Sequence, residues 1–481
     1  MTPPWRALAA AATAAVALEA CAVGPRYAAP PPPAHAAAPF KSARPDLSAP
    51  GEPPGDWWRL YDDVGLDAVV GEALKANTDL RAAEANLRAA RAVLAGARAG
   101  LYPSTQATAS ATYGRDELAN LLAADVGARA GADWLDTTSF AVAYQLDLFG
   151  QIRRGIQAAR ADAEASVAAR DAARVLVAAQ TAGAYADACA LAGSIAVARR
   201  SLALAGRIEE ATRLRRADGV ETSLDEARAQ ALTAQTAAAV PPLQVQRRSA
   251  LFVLAALMGR TPADLPASAV SCSQPLTLSV PIPVGDGAAL IRRRPDLRLA
   301  ERNLAAATAR IGVATAALYP AITLGGSVAL TSNRPEHLAD YVSQSWGLGP
   351  SVSWTFPNQA PVRARIRQAT AQAQAALARL DGSVLQALAE TEQALAVYGA
   401  ERDRRAQLTL ARDRAAEALR LARLQRREGV LPYLDLLSAE QTLIGADAAL
   451  AASDRQIAAD QVAVFKALGG GWQAPPAPGT P

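Results

Sequence analysis

Two periodicities of hydrophobic and polar residues take turns along this chain, and the helical one dominates. Residues 78–100 and 295–317 each read as one helix. They close at Leu101-Tyr102-Pro103 and Leu318-Tyr319-Pro320, because proline lacks the donor that would continue a helix. A period of two follows each helix. Ala107, Ala109, Ala111 and Tyr113 interleave with Gln106, Thr108, Ser110 and Thr112, and Phe140, Val142, Tyr144, Leu146 and Leu148 interleave with Ser139, Ala141, Ala143, Gln145 and Asp147. Farther on come Ile322, Leu324, Val328 and Leu330, then Trp346, Leu348, Val352, Trp354 and Phe356. The pattern predicts strands near 103–113, 137–149, 320–331 and 345–357, each about ten residues, the length a tilted membrane-crossing strand needs. Loops 114–136 and 332–344 are expected outside the cell.

After each strand pair comes a proline-free helical stretch, 151–217 and 362–427, long enough to extend roughly 100 Å. Val362, Ile366, Ala369, Ala373, Ala376, Leu380 and Val384 recur at steps of three and four, a narrow coiled-coil seam. Each stretch turns at a Gly-Val pair, Gly219-Val220 or Gly429-Val430, into a returning helix. In the second of these, Leu436, Leu443, Leu450, Ile457 and Val464 keep a seven-residue step. Pro241-Pro242 predicts a break in the first.

The order is duplicated. Residues 79–103 align without gaps on 296–320 with fifteen of 25 positions identical, and Arg213 to Asp225 match Arg423 to Asp435. The chain therefore reads as repeats 57–258 and 294–468, with helical hairpins 151–258 and 362–468, a linker 259–293 and a tail 469–481. Residues 1–20 read as an export signal, with Arg6 ahead of the apolar stretch Ala7 to Leu18. Cys21 follows a small residue, as at a lipoprotein cleavage site; an ordinary signal peptide with a chance cysteine is the alternative. Residues 21–56, with Pro30 to Pro33, read as a Pro-rich tether that lipid on Cys21 would anchor. No later segment reads as a transmembrane helix.

Composition narrows the function. The 481 residues are Ala-rich with only 5% aromatics, which suits long, closely packed helices better than enzyme cores. The 49 basic residues nearly balance 45 acidic ones and are scattered, unlike a nucleic-acid footprint. Cys21, Cys189 and Cys272 are too few and too far apart for a disulfide framework or zinc site, so Cys189 and Cys272 read as buried or incidental thiols. His35 and His337 are the only histidines, and no metal or cofactor is implied. Asp62-Asp63 reads as a solvated turn and Arg292-Arg293-Arg294 as a solvated or salt-bridged linker. No catalytic residues stand out, so the chain does not read as an enzyme.

Four strands cannot close a membrane barrel, so several copies must complete one. In order and spacing, Cys21-Ala-Val-Gly-Pro25, Trp57-Trp58, Asn77-Thr-Asp-Leu80, Leu148-Phe-Gly150, Pro241-Pro242-Leu243, Ala256-Leu-Met-Gly259 and Gly429-Val430 with Leu434-Asp435 resemble the TolC-like outer-membrane efflux channels, in their NodT-type lipoprotein branch. The resemblance implies a mainly α fold with a membrane β-barrel portion. Three copies would build a barrel of about twelve strands and a helical tunnel through the periplasm. It also implies a lipid, palmitate included, on Cys21, and tips that dock on a periplasmic adaptor (membrane fusion protein) joined to an inner-membrane pump. Small toxic compounds or drugs would leave through it; a type I secretion duct for polypeptides and a periplasmic coiled-coil structural protein are the alternatives.

Charges crowd the hairpin tips, and Asp225 and Asp435 occupy equivalent positions. With Arg215, Arg216, Arg426, Arg427 and Tyr433 they are candidates for a periplasmic gate, the alternative being that they only solvate helix ends. By resemblance, Gly219, Val220, Gly429 and Val430 would meet the adaptor. Tyr113, Trp134, Phe149, Tyr341, Trp346 and Phe356 would form interfacial girdles or simply pack against loops.

Overall fold

The computed structural model describes residues 22–472, apart from positions scattered through 116–130. The export signal, Cys21, residues 473–481 and part of the first long loop lie outside the described residues. In chain order come α1 (Val64–Ala76), α2 (Thr78–Ala99), β1 (Ser104–Gly114), β2 (Asp133–Leu146), α3 (Gln151–Ala217), α4 (Ser223–Ala238) and α5 (Val240–Leu257). Then follow α6 (Pro295–Ala316), β3 (Ala321–Ser332), β4 (Gln344–Ser353), α7 (Ala360–Arg427) and α8 (Tyr433–Ala467). Two compact units result. One gathers the stretch up to Pro30, Arg88–Ala165 and Ala300–Arg379; the other gathers Pro31–Leu87, Ser166–Leu299 and the chain from Leu380 onward.

The first unit holds a four-stranded antiparallel sheet of order β1-β2-β3-β4. Its register sorts the side chains. Ala107, Phe140, Val328 and Trp346 share one row, and Thr105, Val142, Gly326 and Leu348 the next row on the same face. Tyr144, Leu324 and Pro350, then Leu146, Ile322 and Val352, complete an apolar surface. The opposite face carries rows such as Gln106, Ala141, Ser327 and Gly347, and Thr108, Ser139, Ala329 and Ser345. The Thr108 and Ser139 hydroxyls hydrogen-bond across it at 2.7 Å. Trp346 and Leu348 are 80% and 77% exposed, so no described residue covers the apolar face there. All four strands meet helices at one end and each other's loops at the opposite end.

Strand limits differ from the alternation at two places. β2 starts at Asp133 and stops at Leu146, because the Asp147 carboxylate accepts from the Ile152 and Arg153 backbone N–H groups, each at 2.9 Å, and so caps α3. β4 stops at Ser353, where Trp354 stacks on Phe356 at 4.7 Å and donates its indole N–H to the Leu318 carbonyl. The aromatics pair at both ends of the sheet, Tyr113 with Trp134 near the loops and Phe149 on Tyr319 near the helices.

The second unit is helical. Trp57 is fully buried and stacks on Phe465 at 4.5 Å, and a side chain at Gly470 would strike its ring. Asn77 caps α2 by accepting from Asp79 and Leu80, and its amide donates to the Leu257 carbonyl at 2.9 Å. Gly259 ends α5 at φ +69°, pressed so closely on the Ala76 carbonyl that only glycine fits. Pro241-Pro242 falls in the first turn of α5, where missing donors cost nothing, and Ala239 separates it from α4. Along α7, Leu380, Val384, Ala387, Thr391, Leu395 and Tyr398 are buried at steps of three and four. Among the described residues one helix, α3, is long and apolar enough by length and composition to cross a membrane, contrary to the sequence reading. Its Ala178, Ala182, Ala188 and Leu191 are instead buried against protein.

One further expectation is corrected. Cys189 and Cys272 are a disulfide, with Cα atoms 5.1 Å apart across 83 residues. The linker folds back on α3 here, and Arg247 donates to the carbonyls of Ala188 and Val270. The arginine triplet is salt-bridged, one of the two forms expected: Arg292 and Arg293 face Glu52 at 3.6 and 4.0 Å, and only Arg292 is also solvated. Arg293 is buried, donating to the Leu468 carbonyl, and burial pushes its guanidinium down to about 10. Arg294 donates to the Ala467 carbonyl and to Asp296 and Glu390, so both residues close the C-terminal end of α8.

Val142→Arg and Val328→Arg, on the apolar face, are expected to cost about 2–4 kcal/mol each and to abolish assembly in outer membranes, whereas Ser327→Arg on the polar face retains it; heat-modifiable bands on gels read the difference. Cys189→Ser with Cys272→Ser is expected to lower stability by about 2–4 kcal/mol, seen as a lower thermal midpoint for the double variant and for the reduced wild type.

Candidate functional site

The charged residues gather where each long helix turns back. α3 ends with Gly219 at φ +75° and α7 with Gly429 at φ +73°, left-handed positions that suit glycine. In both, the next valine N–H reaches back into the last turn, Val220 to the Arg215 carbonyl and Val430 to that of Gln425. Val220 and Val430 themselves are 67% and 75% exposed.

The two turns lock differently. Thr222 accepts from the Asp225 N–H while the Asp225 carboxylate accepts from the Thr222 N–H and hydroxyl, a reciprocal cap on α4. The Thr222 hydroxyl, more than Arg228 at 3.6 Å, holds the Asp225 carboxyl below its ordinary range. Asp225 is thus a helix cap, whereas Asp435 is exposed and makes no ion pair among the described residues. Equivalent positions in the sequence have acquired different jobs.

A residue outside the candidate set carries the cross-connection. The Glu221 side chain is 4% exposed and pairs with Arg426 of the other hairpin and with Arg215 at 3.7 Å. Arg426 also donates to the Leu431 carbonyl, and Arg216 pairs with Glu226. Higher up, the Thr212 hydroxyl donates to the buried Tyr433 hydroxyl at 3.0 Å, and burial pushes that phenol above its usual range. Arg423 pairs at 2.9 Å with Glu440, whose carboxyl burial raises. Ala205, Ala229, Leu232, Tyr433 and Leu437 form the apolar cluster beneath. Arg427 is exposed. Nothing in the sequence spacing pointed to Glu221, because its partner lies 205 residues away.

The arrangement fastens helix ends and offers no reacting group. Asp63 caps α1, accepting from the Leu66 N–H and the Tyr185 hydroxyl, so it is structural, while Asp62 is exposed in the turn as expected. Among the described residues no group of three or more His, Cys, Asp or Glu side chains could hold a metal ion.

A family profile described as outer membrane efflux protein matches residues 69–260 and 288–470. Nodulation protein T of Rhizobium leguminosarum bv. viciae is 31% identical over 97% of this chain and 94% of its own. The toluene efflux pump outer membrane protein TtgF of Pseudomonas putida is 30% identical over 95% of both chains. Among solved structures, the outer-membrane channel OprN superposes with a TM-score of 0.86 at 34% identity, covering 94% of this chain and all of that one.

Removing one partner of a largely buried ion pair strands the other, so Glu221→Gln is expected to loosen the tips. Hydrogen exchange of the 215–222 and 426–433 amides should quicken about tenfold or more, while Asp435→Ala leaves it unchanged.

Proposed function

The chain belongs to the outer membrane efflux protein family, and from that membership we propose the assembly it forms and the traffic it carries. It is an outer-membrane channel of efflux systems and not an enzyme. The proposed assembly is a homotrimer. The supporting observation is the sheet, which has four strands, one apolar face, one polar face and unpaired edges at β1 and β4. Edge pairing of β4 on one copy with β1 on the next would satisfy those backbone groups and close a barrel of about twelve strands around a polar interior. The apolar face and the family exclude a periplasmic coiled-coil protein without a channel.

Lipid on Cys21 would tether each chain to the same membrane, since Val23 donates to the Phe149 carbonyl, at the helix end of the sheet. The exposed valines at Gly219-Val220 and Gly429-Val430 suit contact with a periplasmic adaptor, which would couple the channel to an inner-membrane pump. The substrate class we propose is small toxic organic compounds, in line with the toluene pump named among the relatives. Closure at rest would rest on the tips. Glu221 with Arg215 and Arg426, Arg216 with Glu226, and Tyr433 with Thr212 would fasten the hairpins, and three copies of Asp435 would face one another.

Reconstituted in planar bilayers, the protein should give a trimer with a small resting conductance. A chain that stays monomeric and forms no pore overturns the assembly. A deletion strain should become sensitive to apolar toxic compounds before large polar antibiotics. Asp225→Ala with Asp435→Ala should raise the resting conductance; an unchanged value removes both residues from the gate and leaves the channel standing.

A further inference from the structure

A cavity of about 500 Å³ lies in the first unit, where the N-terminal segment crosses the beginning of α3 and the second half of α6. Its lining carries five arginines, Arg26, Arg153, Arg154, Arg160 and Arg302, against one carboxylate, Glu164. Arg302 already neutralises that carboxylate at 3.1 Å and also pairs with Glu301. Arg153 pairs with Asp147. Arg26, Arg154 and Arg160 make no ion pair among the described residues, although Arg154 is only 4% exposed.

The site is built rather than incidental. Arg154 donates to the Val23 and Gly24 carbonyls at 3.1 and 3.0 Å and to Gln157 at 3.0 Å. Gly24, at φ +89°, lies so close to Gly312 that a side chain on either would collide, the first with backbone and the second with Arg154. The Tyr27 hydroxyl donates to Glu301 and its ring lies under the Arg302 guanidinium at 5.6 Å. These contacts hold the segment bearing Arg26 over the cavity. Burial, and then repulsion from Arg26, depress the Arg154 guanidinium, so the two cations feel each other across the cavity.

Position identifies the anion. Arg153 and Arg154 stand in the first turn of α3, which begins at Gln151 just beyond the end of β2 at Leu146, and Ala22 rests on Gly150 at that same junction. This is the sheet end that bears the helices, hence the periplasmic leaflet surface of a channel seated in the outer membrane. Ala161, Ala305 and Ala309 give the cavity an apolar wall beside the cations. We propose that this cavity binds the phosphate headgroup of an anionic phospholipid of the periplasmic leaflet, with Arg26, Arg154 and Arg160 as its ligands. The inference rests on the outer-membrane placement and not on lipid at Cys21. Free phosphate shares the chemistry but would not need a leaflet-level site.

The test is native mass spectrometry of the full-length protein, released from nanodiscs of phosphatidylglycerol or of phosphatidylcholine, with Arg26→Gln plus Arg160→Gln as the variant. Neither residue belongs to the tips, so conductance of the variant in the same preparation should equal that of the wild type. Preferential retention of phosphatidylglycerol by the wild type, reduced about tenfold or more in the variant and not displaced by millimolar inorganic phosphate, supports the site. Equal retention of both lipids, or undiminished retention by the variant, overturns it. Displacement by inorganic phosphate assigns the cavity to the free ion and overturns the lipid reading. Absence of conductance from the wild type would count against the channel itself, whatever lipid is retained.

Discussion

Backbone amides have no water to bond with in hydrocarbon, and much of this chain follows from that. A strand edge left open there forfeits several kcal/mol for each unpaired group. The sheet ends in two such edges, β1 and β4, so the folded chain is an incomplete object in the membrane. Its register converts a simple alternation into a greasy wall and a hydrophilic wall, and no described residue closes over the greasy one at Trp346 and Leu348. In the proposed assembly stability and oligomerisation are hard to separate, since the last hydrogen bonds of the fold would come from another copy.

Outside the membrane a different economy of atoms applies. Alanine on α3 and α7 brings helices close without large side chains, which leaves little apolar mass to hold their ends. The ends are held by polar devices instead: the Thr222–Asp225 cap, the Glu221 bridge to Arg426, and Arg293 with Arg294 on the last carbonyls of α8. Each satisfies groups that a helix terminus leaves orphaned. The conformation of the hairpin ends thus depends on a few charges, while the shafts depend on many small contacts.

What the sequence disclosed follows the same division. Local rules sufficed for the strand faces, the Tyr-Pro stops, the Gly-Val turns and the Pro241-Pro242 break, because each depends on neighbours within a turn or two. Asp147 fitted the alternation of β2 yet serves as a helix cap, a competition between strand and helix that periodicity does not arbitrate. Cys189 with Cys272 and Glu221 with Arg426 stayed illegible, since those pairs exist only once distant segments have packed. Asp225 and Asp435 looked equivalent because duplication preserved the residue while the surroundings diverged: Thr222 precedes one helix and Pro432 the other.

The disulfide gives the two hairpins unequal mechanical character. The covalent ring from Cys189 to Cys272 encloses the whole Gly219 turn together with α4 and α5, whereas the hairpin turning at Gly429 has no covalent crosstie among the described residues. A lever riveted near its base bends less than one resting on non-covalent contacts alone. Were the tips to part as proposed, the swing would fall mainly to α7 and α8, with the first hairpin as the stationary jamb against which the second moves.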